Sequence, residues 1–302
     1  MSVDPTLPTP AHIDPRAATV FTHRRTAETG PALGTLFALA RAEGVTLRFD
    51  ERETEKHSLT ASDGIIVNAP IDASADLCIA LGGDGTILSA LRKYAGTGVP
   101  VFGINFGEIG FLSAVDRERA TEGIEHALAG DFGTLALPGI AVHGASGWEG
   151  EERLAINDVS IQRRQGSRVA DLAYFIGDDE IGRVRCDGLV VATPAGSTGY
   201  NLANGGPVLA WGVEGYVVSF IAPHSLTARA LVVAPSDRLT IRNRSKDEPV
   251  DVVLDGRPMA VLAPGEWLEI CFEKDQGTLA QISGINFYAR LREKFGRLAT
   301  LP

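Results

Sequence analysis

The segment Gly82-Gly83-Asp84-Gly85-Thr86 constrains this chain more than any other, because it sets three glycines and a carboxylate between two differently patterned runs. Before it, Leu77-Cys78-Ile79-Ala80-Leu81 is a short continuous apolar run, the pattern of a buried strand. After it, Thr86 to Ala95 reads as a helix. A strand that passes through glycine into a helix belongs to an α/β layer, and it leaves the helix N-terminus open to an anion such as phosphate. Glycine permits positive φ at such a junction and lets a ligand approach the backbone closely. Asp84 in that place repels a phosphate unless it handles a proton or a metal. Phosphoryl transfer meets that condition, if Asp84 takes the proton of the attacking hydroxyl. The plainer alternative is a turn in which Asp84 or Thr86 merely caps the helix.

A length of 302 residues can bury a substantial core and predicts two domains. Hydrophobic residues at 44% and charged residues at 22% are the proportions of an ordinary soluble globular protein. The formal net charge of −10 argues against a nucleic-acid partner or an anionic membrane surface, either of which needs a basic footprint. Cys78, Cys186 and Cys271 are far apart, odd in number and set in apolar runs, so they read as buried thiols of a reducing compartment. The six histidines form no metal-ligand spacing. Met1 to Arg16 is proline-rich and polar without an apolar core, which reads as neither signal peptide nor membrane anchor. No later stretch reads as a membrane span. The expected location is the cytoplasm.

Along the chain, residues 1–17 are expected to form a disordered tail and 18–136 an α/β domain. Strands are predicted at Ala18–Thr22, Val45–Phe49, Gly64–Val67, Leu77–Leu81 and Val99–Ile104, with a helical stretch from Pro31 to Glu43. Ala120, Ile124, Ala127 and Leu128 share a helical face. The texture changes after Leu137. Short apolar or alternating runs, among them Val159–Gln162, Leu172–Ile176, Gly188–Ala192, Val217–Ile221, Val250–Leu254 and Trp267–Phe272, predict a β-rich domain over 137–275. Residues 276–302 return to helix, with Tyr288, Leu291 and Phe295 on one face, and are expected to pack on the first domain.

A second glycine-rich turn is more specific than the first. Asp187 and Gly188 lead through Leu189-Val190-Val191-Ala192 into Thr193-Pro194-Ala195-Gly196-Ser197-Thr198-Gly199-Tyr200-Asn201. Its hydroxyl and backbone donors suit a diphosphate or a purine edge, and Tyr200 offers a planar face. The competing reading is a turn whose hydroxyls cap a helix. Asn157-Asp158 supplies an amide and a carboxylate, a pair suited to ribose hydroxyls and equally common as an Asx turn. Arg168 and Arg185 are able to neutralise phosphate, though single arginines are usually solvated. Asn105 to Leu112 is a loop after a strand, and His224 reads as structural. There is no Gly-x-x-x-x-Gly-Lys-Ser/Thr run, and Gly103, Gly107 and Gly110 are too widely spaced for a Rossmann fingerprint.

In this order the signals resemble those of the bacterial NAD kinases. The resemblance rests on the Gly-Gly-Asp-Gly-Thr turn, the Asn105–Leu112 loop, Asn157-Asp158, the Asp187–Tyr200 block, Pro223 to Val233 and the Asn286–Phe295 tail. It implies an N-terminal α/β domain, a β-rich C-terminal domain and NAD in the cleft between them. It implies that Asp84 is the catalytic acid/base and that Gly85, Asn157, Asp158, Arg168, Arg185, Asp187, Ala195, Thr198, Gly199, Tyr200, Asn201, Leu202, Ala203 and Ala222 contact the dinucleotide. Arg257 matches a further such position. It also implies phosphorylation of the 2′-hydroxyl of the adenosine ribose to give NADP. The donor would be ATP or inorganic polyphosphate, the metal Mg2+ or another divalent ion, and the assembly a homodimer or homotetramer. Two positions depart from the family pattern, Asp158 in place of Glu and Gly199 in place of Ala. The rival readings are a lipid or sugar-phosphate kinase sharing the first turn, and a non-catalytic dinucleotide-binding regulator.

Overall fold

Parallel strands require crossover connections, and the first part of the chain supplies them. The computed structural model describes residues 7–108, 110–144, 148, 153–282, 284 and 286–296. The chain divides into two compact units, Met1–Ala136 with Gln276–Pro302, and Leu137–Asp275. The first unit contains β1 (Thr9–His12), β2 (Ala17–Thr22), α1 (Thr26–Glu43), β3 (Thr46–Arg48), α2 (Glu51–His57) and β4 (Ile65–Ile66). There follow β5 (Leu77–Gly82), α3 (Asp84–Lys93), β6 (Pro100–Asn105), β7 (Val115–Asp116), α4 (Ala120–Leu128) and the start of β8 (Asp131–Gly144). The sheet order is β4-β3-β2-β5-β6, every pair parallel. Both β5 and β6 are buried along their whole length, as their unbroken apolar runs require. Ile79 lies between Val20 and Phe102 in the ladder, and Leu33, Leu36 and Ile124 from the helices join the same core.

Strands are added outward from β2 in one direction and from β5 in the other. The order therefore reverses between β2 and β5, and open α/β sheets bind ligands outside the carboxyl ends of strands at such a reversal. The Gly82–Thr86 turn leaves one of those two ends.

The second unit continues with β9 (Leu154–Ala155), β10 (Asp158–Arg163), β11 (Ala170–Ile176), β12 (Asp179–Cys186), β13 (Gly188–Ala192) and α5 (Tyr200–Ala203). It is completed by β14 (Tyr216–Ile221), β15 (Leu231–Val233), β16 (Leu239–Asn243), β17 (Val250–Leu254), β18 (Arg257–Leu262) and β19 (Trp267–Gln281). One antiparallel sheet runs β15-β14-β13-β10-β17-β18. A second antiparallel array runs β12-β11-β16-β19. Val159, Ile161, Leu189 and Val252 from the first share one core with Leu172, Val184, Ile241 and Leu268 from the second. Burial alternates along β16 and β17, the pattern of strands with one face inward.

The end of β19 rejoins the first unit, pairing parallel with β6 through Thr278 and Pro100. There α6 (Phe287–Phe295) begins at Asn286, whose side chain accepts the Ala289 N–H at 2.8 Å. The returning helix thus packs on the first unit, as expected, and two of the three expected residues serve that face: Leu291 is buried and the Phe295 ring lies 5.6 Å from that of Phe111. Phe287, Arg290 and Leu291 are buried, whereas Tyr288 is 61% exposed. Tyr288 is the exception, because Arg290 and Lys294 also turn inward to reach polar partners, which an apolar periodicity does not reveal.

Other expectations are corrected. Residues 9–12 of the predicted disordered tail form β1, paired antiparallel with β8 from Thr9↔Thr134 to His12↔Asp131; residues 1–6 lie outside the described part. Helix α1 starts at Thr26 rather than Pro31, which sits inside it. Cys78 and Cys186 are buried free thiols, but Cys271 is partly exposed. Among the described residues no helix is long and apolar enough to cross a membrane.

Candidate active site

Asp84 is the first residue of α3, and Gly83 is its N-cap. Glycine at both positions lets two backbones touch there: a Cβ on Gly107 would lie 3.0 Å from Gly83 Cα. That contact brings the loop after β6 over the turn, and the Asp84 carboxylate meets its amides. Oδ2 accepts the Phe111 N–H at 2.8 Å, and Oδ1 accepts the Leu112 N–H at 2.9 Å. The carbonyls of the same loop face the other way, into Arg290. Its guanidinium donates to the carbonyls of Gly110 at 3.2 Å and Phe111 at 2.9 Å, to that of Ser113, and to Gln281 Oε1 at 2.9 Å. Burial weakens the guanidinium's hold on its proton, while the charges of Asp84, Glu293 and Asp116 oppose that effect. Asn105 fixes the loop base, accepting the Gly107 N–H and donating to Asp116, both at 2.9 Å. Lys294 of α6 closes this chain on Asp116 at 3.0 Å.

A cavity of about 400 Å3 opens at the strand-order reversal, lined by Thr22 at the end of β2, by His23 and Arg24 after it, and by Gly83, Gly85, Thr86 and Ser89 around α3. Arg52 and Lys56 of α2 and Arg92 and Lys93 of α3 complete its wall, against the carboxylates of Asp50 and Glu53. Glu53 is 4% exposed and is held by Lys56 at 2.5 Å and by the Thr22 hydroxyl at 2.8 Å. Its charge is thereby spent on Lys56 rather than on the cavity. Arg24 and Arg52 are exposed. The surplus of cations, with the positive end of α3, makes this a place for a polyanion.

In the second unit, Asn157 and Asp158 stand at the entry to β10. Thr193 takes up the carbonyls before it, its hydroxyl donating to Ile156 O at 2.7 Å and its N–H to Asn157 O at 2.9 Å. The amides of Ile156, Asn157 and Asp158 donate to the Asp255 carboxylate at 3.0, 2.8 and 3.0 Å. The Asn157 side-chain Oδ1 is buried with no partner among the described residues, a state that costs about 1–3 kcal/mol until a donor reaches it. Burial, and then the Asp255 charge, push the Asp158 carboxyl up to about 7.

Tyr200 lies in the field of Asp158 and Asp187, its hydroxyl raised first by burial and then by those two charges. Asp187 accepts from Arg163 Nε at 2.6 Å. Ala195 is buried, Thr198 half-buried with its hydroxyl on the Ala195 carbonyl at 3.2 Å, and Leu202 half-buried. Asn201 is fully buried and clamps the loop, its Nδ2 donating to Ser197 O and Pro207 O at 2.9 Å. Gly199, Ala203 and Ala222 are exposed, as are Arg168 and Arg185. A Cβ on Gly199 would meet the Gly196 carbonyl oxygen at 3.4 Å, so a methyl fits there. Of the sites expected from sequence, the second unit thus gathers Asn157, Asp158, Asp187 and Tyr200, while Asp84 and Gly85 belong to the first.

Residues 39–132 match the family model of the ATP-NAD kinase N-terminal domain, and 156–279 that of the ATP-NAD kinase C-terminal domain. A curated relative named NAD kinase, from Gemmatimonas aurantiaca, is 32% identical over 87% of this chain and 90% of its own length. The chain belongs to the NAD kinase family. Another NAD kinase, from Symbiobacterium thermophilum, is 34% identical over 74% of this chain and 80% of its own. The fold is that of the yeast NADH kinase solved with NADH, at TM-score 0.83 and 22% identity over 95% of this chain and 90% of that one. The NAD kinase from Archaeoglobus fulgidus solved with ATP aligns at TM-score 0.69 and 24% identity, over 93% and 97% of the two chains. As an NAD kinase the protein is a phosphotransferase enzyme.

For an NAD kinase the question of a metal follows. Among the described residues no three His, Cys, Asp or Glu side chains converge to hold one. The described side chains thus offer no ready-made set for a resident ion. Sequence reasoning missed Asp255, Arg290 and the cavity cations. Asp255 left one trace, an Asp-Gly pair between two strand runs, which marks a turn. A lone arginine in a charged tail left none.

Proposed function

We propose that the enzyme transfers the terminal phosphoryl group of ATP or inorganic polyphosphate to the 2′-hydroxyl of the adenosine ribose of NAD, with Asp84 as the base. The observation that carries this is a carboxylate held by two amides at the head of α3, beside a cation-lined cavity. A carboxylate has about four acceptor positions, so each Asp84 oxygen keeps one for the ribose hydroxyl. The amides fix the carboxylate's direction. As the 2′-oxygen bonds to phosphorus, the bridging P–O bond to the donor breaks and the hydroxyl proton passes to Asp84. The shortened donor leaves with the electron pair of that bond. Arg24, Arg52, Arg92 and Lys93 neutralise the donor's phosphates. A divalent ion enters with the donor, as part of that substrate.

The Asn157 amide, Asp158, Asp187 and the Thr198–Ala203 turn with Tyr200 receive the dinucleotide, with Gly85, Arg168, Arg185, Ala195 and Ala222 as further contacts. The buried unpaired Asn157 Oδ1 supports this, since a ligand hydroxyl or amine satisfies it. The same reading takes the enzyme to be cytoplasmic, consistent with three free cysteines, and a homodimer or homotetramer. A grid assay crossing NAD and NADH with ATP and polyphosphate tests the proposal. NADP formation from NAD and at least one of these donors is expected; phosphorylation of diacylglycerol or fructose 6-phosphate instead would overturn it.

A further inference from the structure

Asp255 stands just beyond the ladder that pairs β10 with β17, where Val159 faces Leu254. It is one of few non-glycine residues in the left-handed region, with φ 46°. A residue with a Cβ is held there only when its surroundings over-determine it. Here they do so through its side chain. One carboxylate accepts three successive amides, those of Ile156, Asn157 and Asp158, while the Asp255 N–H returns to the Asp158 carbonyl at 2.9 Å. From the opposite side Thr193 holds the Ile156 and Asn157 carbonyls, and Gly196 approaches so closely that a Cβ would lie 2.1 Å from Asn157 O.

The backbone of residues 156–158 is therefore locked on both sides, with its polar groups internally consumed. What remains unpaired is the Asn157 side-chain oxygen. A buried acceptor left open on a segment whose backbone is fixed from both sides is suited to a donor from a ligand. We infer that Asp255 is a positioning residue for dinucleotide binding: it sets the backbone of residues 156–158 so that the Asn157 amide and the Asp158 carboxylate face the ligand. Its charge also faces Asp158, so it tunes that carboxylate as well as placing it. The charged and titratable groups around Asp158 are Asp255 from the β17–β18 turn and Tyr200 from α5, with Asp187 acting on Tyr200. The inference rests on the assignment of Asn157 and Asp158 to the dinucleotide.

The test uses the full-length enzyme with Asp255→Asn and Asp255→Gly, both of which tolerate the left-handed backbone. The Michaelis constant for NAD, turnover and melting temperature are measured from pH 5 to 9, with Asn157→Ala as a parallel variant. Expected is a rise of about tenfold or more in the Michaelis constant for NAD, with turnover within about threefold of wild type. In Asp255→Asn the acid limb of the NAD dependence should also move to lower pH, because the like charge that raises Asp158 is gone. A normal NAD constant in both Asp255 variants, when Asn157→Ala is impaired, overturns the positioning role and leaves the site assignment standing. Normal constants in all three overturn the site assignment itself. Failure of both Asp255 variants to fold, or a loss of melting temperature with an unmoved acid limb, reduces Asp255 to a residue of the fold and also overturns the inference.

Discussion

Asp84 and Asp158 are both carboxylates beside backbone amides, yet their surroundings give them different work. The Asp84 oxygens receive two amide hydrogens directly. At Asp158 the amides go to Asp255 instead, and the side chain is left to face burial and a like charge that push it up to about 7. This value lies above the ordinary 3.8 of an unfolded aspartate. Between about pH 4 and 7 the folded state holds a proton that the unfolded state has released. Stability therefore falls as pH rises through that window and is level above it. Asp158→Asn removes this contribution, so the variant should match wild type near pH 4 and melt a few degrees higher at pH 8. Melting curves at the two pH values check this, and parallel behaviour of the two proteins would count against the raised carboxyl.

At the scale of elements, α6 is tied to the loop that Asp84 reads from the other side. Arg290 collects its carbonyls as Asp84 collects its amides. Arg290→Met keeps length and apolar bulk but strands those buried acceptors, at a cost of about 3 kcal/mol or more. It should lower both melting temperature and turnover, the latter by about tenfold, while NAD affinity holds; unchanged turnover would separate α6 from the catalytic turn. Little of this was legible. Apolar runs announced β5, β6 and β13 because those strands are buried along their whole length, and β17 because its inward face is apolar. Helix α2, Glu-Arg-Glu-Thr-Glu-Lys-His, carried no apolar signal because what it buries is Glu53 and Thr54. Strand β19 was cut short in the sequence reading because its polar middle, with Asp275 at φ 55°, looks like a turn. On α6 Leu291 and Phe295 face inward as their spacing predicts, whereas Tyr288 does not, because the hydrogen bonds of Arg290 share in setting the inward face. The two glycine turns were legible because their residue types are dictated by backbone approach, whereas Asp255 and Arg290 act through groups that no periodicity marks.

On the scale of the whole molecule, the topology of the first unit creates the donor cavity: strand order reverses between β2 and β5, and cations gather at that reversal. Arg24→Ala and Arg52→Ala should each raise the Michaelis constant of the phosphoryl donor several-fold, more at low than at high salt, with that of NAD unchanged. Equal effects on both substrates would place the donor elsewhere. The second unit supplies strands for a different purpose, fixing the Asn157-Asp158 entry between Thr193 and Asp255. The central claim is that the amide-held carboxylate of Asp84 takes the proton of the ribose hydroxyl, and Asp84→Asn tests it most directly. Turnover should be measured under saturating NAD and donor, with NAD affinity by calorimetry on the same preparation. The account predicts a loss of at least about a hundredfold in turnover, the scale of a positioned general base, with NAD affinity held within a few-fold. Near-wild-type turnover in the folded variant would contradict it.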